Sequence, residues 1–171
     1  QQNFAVAVGY FAGARSQQTN AIAIGRQSGE TIQGTGAVAV ETWTGRITQG
    51  DYSVAVGYQA GQTLQGQNSI AIGRLSGGST QAAECVAVGY NSGSALQGDG
   101  CVAVGVNSGT STQGTYAVAV GFDAGTNSQG IYAVAVGPDA GNNSQGHHSI
   151  AIGRNTGSNG QSSSCVAIGP N

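Results

Sequence analysis

The sequence predicts an all-β parallel β-solenoid, a β-roll of about ten coils with 16 residues in each coil. Three observations predict it. The apolar motif Ala-Val-Ala-Val-Gly, or a close variant, begins at residues 5, 21, 37, 53, 69, 85, 101, 117, 133, 149 and 165 with no slip in spacing. The third position of every unit is Ala, from Ala7 to Ala167, and the ninth is Gly, from Gly13 to Gly157. The thirteenth is Gln, from Gln17 to Gln161. A short fixed period with fixed Gly means equivalent coils stacked along one axis, each touching only its neighbours. Function then sits on the outside.

Within one unit, such as Ser53 to Asn68, the elements follow in order. Val54-Ala55-Val56 reads as the first strand, with β-branched residues at alternate positions. Gly57, Gly61 and Gly66 mark corners, where φ turns positive or backbones approach closely. A shorter extended segment and a last turn complete the coil. No helical period is present, and glycine at such intervals breaks helices. Sixteen residues at about 3.3 Å each give a perimeter near 50 Å, which suits a flattened two-sided coil, and ten coils stack to roughly 48 Å.

The first strand alternates Val or Ile on one face with Ala, Ser or Cys on the other. Neither face is charged in any copy, the pattern of a strand buried on both sides. One face fills the narrow interior of the coil. The other forms a continuous apolar stripe that a lone chain leaves in water, so a partner copy packed along it is expected.

Gln33, Gln49, Gln65, Gln81, Gln97, Gln113, Gln129 and Gln145 are expected to form a structural ladder, each amide bonding the same amide one coil away or satisfying turn backbone. Cys85, Cys101 and Cys165 all occupy the first position, where Ala or Ser stands elsewhere, and read as small buried residues. A Cys85–Cys101 disulfide is sterically allowed between stacked coils, and the odd count leaves at least one thiol outside any intrachain bond.

Composition excludes several classes. The chain has 31 Gly, two Pro and only 7% charged residues, which argues against a solvated disordered polymer. Its net charge of −2 offers no basic face for nucleic acid. No apolar run approaches the length of a membrane span. No paired carboxylates, Ser-His-Asp set or metal-spaced cluster recurs, so no catalytic residue, cofactor or metal ligand is assigned. Gln1 falls in the Gln position and Asn171 in the seventh position of an unfinished coil. Residues 1–171 are therefore expected to be one β-solenoid domain, a segment of a longer repeat protein or a stacking fibre unit.

Asn68-Ser69-Ile70-Ala71-Ile72-Gly73, with Asn20-Ala21-Ile22-Ala23-Ile24-Gly25 and Ser149-Ile150-Ala151-Ile152-Gly153 beside it, resembles the Asn-Ser-Val-Ala-Ile-Gly signature of YadA-like head repeats in trimeric autotransporter adhesins. Similar repeats occur in fibre proteins of phages and large viruses. The resemblance implies a left-handed parallel roll, three chains wrapped about a common axis, and attachment to cells, matrix or neighbouring surfaces. It implies an extracellular place, on a cell surface or virion fibre. The bacterial repeats are shorter, and the added residues here fall on the second side or its turn.

Candidate contacts lie in columns on the rim. The position after the strand-ending Gly carries Tyr10, Arg26, Tyr58, Arg74, Tyr90, Phe122 and Arg154, residue types that concentrate in binding hot spots. A second column holds Phe4, Tyr52, Tyr116, Tyr132 and His148. Two readings stand for both columns: ladders that cover coil edges, or binding. One coil departs from the pattern, with Glu41 in place of the strand-ending Gly, Trp43 beside it and Arg46 close behind. Trp43 with Glu41 and Arg46 is the best single candidate for a specific contact or for an interface with a neighbouring subunit. Asp123 and Asp139 share a column with Asn91, Asn107 and Asn155, and hydrated carboxylates are expected there in preference to a bound cation. Asn142-Asn143-Ser144 forms a glycosylation sequon.

The leading functional reading is a non-enzymatic attachment or fibre module that presents rim residues to a host or matrix protein or glycan, with self-association as a homotrimer. The alternatives are a filament subunit stacking end to end and an ice-binding solenoid. Against the last, Thr48, Thr80 and Thr112 share their column with Ile32, Leu64 and Leu96 and form no unbroken ladder.

Overall fold

The computed structural model describes residues 1–170; Asn171 lies outside the described residues. The chain is a parallel β-solenoid with no helix among those residues. Strands of the longer kind run from β1 (Val6–Val8) to β21 (Val166–Ile168) and form an 11-stranded sheet. The shorter kind runs from β2 (Ser16–Gln17) to β20 (Asn159–Gln161) and forms a 10-stranded sheet. Register is one coil per strand, with Ala7 opposite Ala23, Ala23 opposite Ala39, and Gln17 opposite Gln33. The periodicity in the sequence is therefore the stacking repeat of the backbone.

The two faces of the long strands divide by size. The small side chains point inward: Ala21, Ala23, Ala37, Ala39, Cys85 and Cys101 are fully buried. Ser53, Ser69 and the Gln column share that interior. The larger Val and Ile side chains point outward and stay half-buried or exposed, with Ile24 and Ile72 each 40% exposed. This resolves which face is internal: the space between the two sheets holds Ala, Ser, Cys, Thr44 and the slender Gln, while Val and Ile face outward. An alanine core buries little apolar area per residue, so the hydrogen-bond ladders must supply much of the cohesion.

Two glycine columns make the coil closable. A Cβ on Gly9 would stand 2.5 Å from the carbonyl oxygen of Gly25 in the next coil, and φ there is 132°. A Cβ on Gly13 would stand 2.7 Å from Oε1 of Gln17, so the ninth-position Gly and thirteenth-position Gln exist for each other. Glu41 occupies the first of these columns with φ at 113°, a conformation that is almost wholly glycine's. The seventh position is left-handed in every complete coil, from Phe11 at 56° to Asn155 at 56°. Asn and Asp tolerate that conformation best, and they fill it from Asn91 onward.

Candidate functional site

Five rim side chains form one ribbon along the axis. The Arg26 guanidinium lies 5.7 Å from the Trp43 ring centroid, and the Trp43 and Tyr58 rings lie 5.6 Å apart at 47°. Arg74 sits 5.9 Å from the Tyr58 ring and 5.6 Å from the Tyr90 ring. The order is cation, aromatic, aromatic, cation, aromatic, at one residue per coil. Trp43 belongs to the neighbouring column by sequence, yet its ring meets Arg26 and Tyr58 of this one. Each contact of this kind is worth about 0.5–1 kcal/mol at exposed sites.

The departing coil is tied to its neighbour by polar contacts one period away. Trp43 Nε1 donates to Gln27 Oε1 at 2.7 Å, and Gln27 Nε2 donates to Glu30 Oε2 at 3.0 Å. Arg46 Nε donates to the same oxygen of Glu30 at 2.9 Å. The Arg46 hydrogen bond holds the Glu30 carboxyl below its ordinary value against the opposing effect of burial. Arg46 therefore meets Trp43 only through Glu30 and Gln27, two residues that the sequence reading did not single out. The signal was available, since Gln27 and Glu30 stand 16 residues before Trp43 and Arg46. Glu41 lies exposed outside this network, and its carboxylate accepts from the Thr42 amide at 3.2 Å.

Other rim candidates stand apart from the ribbon. Tyr10 packs edge-on against Phe11 at 4.4 Å. Phe122 and Arg154 are exposed further along the same column. In the second column, Tyr116, Tyr132 and His148 stack at 5.2 and 5.3 Å. Asn91 donates to Asn107 and Asn107 to Asp123 Oδ1 at 3.0 Å, while Asn142 donates to Asp139. Those bonds engage both aspartates, and the Asn142 amide of the sequon is itself occupied.

The glutamine amides bond both ways. Gln17 Nε2 donates to the carbonyls of Val6 and Ala21 at 2.7 and 3.1 Å. Gln97 donates to Gln113 at 2.8 Å, and the chain of amides continues through Gln129 and Gln145 to Gln161. Gln33 donates to Gln49 at 3.2 Å. Cys85 and Cys101 are buried, unbridged thiols that donate to the carbonyls of Gly98 and Gly114 at 3.0 Å, whereas Cys165, expected to be buried like them, is free and exposed in the last coil. The adjoining Cys101 thiol, together with burial, pushes the Cys85 thiol above its ordinary value. On the second sheet, Ser128, Ser144 and Gly160 replace the bulkier Ile32, Leu64 and Leu96, and a shallow hollow of about 570 Å³ opens beside His147.

Among the described residues no helix is long and apolar enough to cross a membrane, and no group of three potential metal ligands converges. No curated protein and no solved structure matches the chain. The YadA head domain repeat, a pattern spanning two repeat copies, matches residues 3–28, 47–60, 97–124, 113–140 and 128–156. The matched segments cover more than half of the chain and lie along most of its length. By its repeat and its fold, this chain belongs to the YadA head domain family.

Proposed function

We propose that this chain is a non-enzymatic attachment module of a cell-surface or virion fibre. It assembles as a homotrimer and presents its rim to a host or matrix protein or glycan. The observation that carries this reading is the outward double column of Val and Ile. In every coil the second and fourth positions place a β-branched side chain outside. Such a face exceeds the scattered apolar exposure normal for a monomer. Packing copies along it leaves the rim residues Trp43, Arg26, Tyr58, Arg74 and Tyr90, with Tyr10, Phe122 and Arg154, free to meet a partner. Membership in a family of adhesin heads supports the same reading.

Beads coated with the chain test it. Coated beads should adhere to cell layers or immobilised matrix, and uncoated beads should not. Adhesion that persists after the rim residues are replaced would remove the rim from the account. Equal adhesion of coated and bare beads would remove the attachment function.

A further inference from the structure

In the middle of the rim ribbon the aromatic rings are flanked along the axis. Trp43 lies between Arg26 and Tyr58, and Tyr58 lies between Trp43 and Arg74, so both rings are flanked on their axial sides. A neutral sugar or a nucleobase that binds by lying flat on an aromatic face finds the faces of Trp43 and Tyr58 obstructed by these neighbours. The exposed guanidinium groups of Arg26 and Arg74 stand beside these rings and offer N–H donors to a ligand. The one ion pair among the described residues joins Arg46 to Glu30, which leaves Arg26 and Arg74 without a carboxylate partner. Both are exposed. A chain of net charge −2 thus gathers two of its five basic side chains, both unpaired, on one ribbon.

We propose that this ribbon binds a linear acidic polysaccharide whose carboxylate or sulfate groups are held by Arg26 and Arg74. The proposal rests on the attachment reading and narrows it to one ligand class. Arginine presents a planar fork that takes an oxyanion through two parallel hydrogen bonds. Stacking on Trp43, Tyr58 and Tyr90 fixes the forks before the ligand arrives, which lowers the ordering cost of binding. The two arginines stand three coils apart, about 14 Å at the spacing of adjacent strands. A single small anion does not bridge that distance, whereas a chain bearing recurrent acidic groups does. Glu41 sets one exposed carboxylate in the same coil as Trp43, near the Arg26 end, and works against the most densely charged ligands. Net negative charge gives no long-range steering, so recognition depends on these local contacts.

Titration calorimetry of the native assembly with four probes tests the proposal: heparin oligosaccharides, polygalacturonate oligosaccharides, dextran oligosaccharides and oligothymidylate. At least one acidic saccharide should bind, heparin reporting sulfate recognition and polygalacturonate carboxylate recognition, while dextran and oligothymidylate should not. Arg26→Gln and Arg74→Gln should each lower affinity at least about tenfold, the scale of a hydrogen-bonded charge. Arg74→Lys should recover only part of the loss, because a point charge replaces the fork. Arg15→Gln, which removes an exposed charge away from the ribbon, should change affinity less than about twofold. Glu41→Gly should tighten heparin binding. Circular dichroism and native mass, unchanged in each variant, separate binding from folding. Equal losses in the Arg15 and Arg74 variants would overturn the ribbon in favour of diffuse charge. Preferential binding of oligothymidylate or dextran would overturn the ligand class. Bead adhesion retained without binding of either acidic probe would overturn this proposal and leave the attachment reading standing; bead adhesion absent in the unaltered chain would overturn that reading itself.

Discussion

The coils spanning residues 26–90 and those spanning 91–161 share one backbone and differ in what their side chains do along the axis. In the later coils like meets like. The Gln97–Gln161 amides form one continuous ladder, Asn127 donates to Asn143 and Asn143 to Asn159, and Tyr116, Tyr132 and His148 stack. In the earlier coils unlike residues meet. Arginine stacks on Trp43 and Tyr58, Glu30 pairs with Arg46, and Glu41 stands in a glycine column. There the amide ladder is interrupted after the Gln33–Gln49 bond: Gln33, Gln65 and Gln81 each bury an Oε1 without a hydrogen-bond partner, whereas among the described residues of the later coils Gln97 alone, at the start of its ladder, does so. Repetition in register lets polar groups satisfy one another and adds cohesion. Departure from repetition gives up some of that cohesion and creates a surface unlike the rest. Because each coil touches only its neighbours, the two regions can differ in stability without a change of fold.

The largest expected effect is a direct contrast between the regions. Gln113→Ala removes a side chain that donates to Val102 and Gln129 and accepts from Gln97. It should cost about 3 kcal/mol in chemical denaturation, from lost hydrogen bonds and the space left behind. Gln65→Ala, whose amide bonds only the carbonyls of Val54 and Ser69, should cost about 1 kcal/mol less. Equal costs would erase the contrast. Next comes Glu41→Gly, which should raise stability by about 1–2 kcal/mol by removing backbone strain, net of glycine's greater freedom in the unfolded chain. A fall in melting temperature would show that the Glu41 side chain does more for the fold than its φ costs.

Smaller effects sharpen the picture. Tyr132→Ala interrupts the stack between Tyr116 and His148 and should cost about 1 kcal/mol in thermal melts. Glu30→Gln should cost less than about 1 kcal/mol, since the pair with Arg46 lies near the surface. Its pH dependence has a definite sign. The folded Glu30 carboxyl is held below its ordinary value, so its contribution is complete above the unfolded carboxylate range and disappears as pH falls through the depressed folded value. The stability gap between native chain and Glu30→Gln should therefore stay constant at neutral pH and close in acid.

Much of this molecule is legible in its sequence, for a physical reason. A solenoid fixes contacts by period, so residues 16 apart are neighbours without any further folding information. That arithmetic locates both strands of each coil, the glycine corners and the rim columns. It does not tell which strand face is internal, because Val and Ala are both apolar; the width of the coil decides that. Nor does it show that the Trp43 ring meets Arg26 and Tyr58 of the adjoining column, which depends on the reach of an indole. Gln27 and Glu30 escaped attention because each is unremarkable alone and matters only through the residue one period later. The same arithmetic applied to polar residues as well as apolar ones would have found them.

Coverage of the outward Val and Ile columns by other copies of the chain is what the proposed assembly requires. Light scattering on the native assembly over a range of concentrations measures this directly. A constant mass three times that of the 16.8 kDa chain is the predicted result. A stable monomer would contradict it, since the apolar face would then be at home in water, and mass that grows without limit would point instead to contacts at the coil ends.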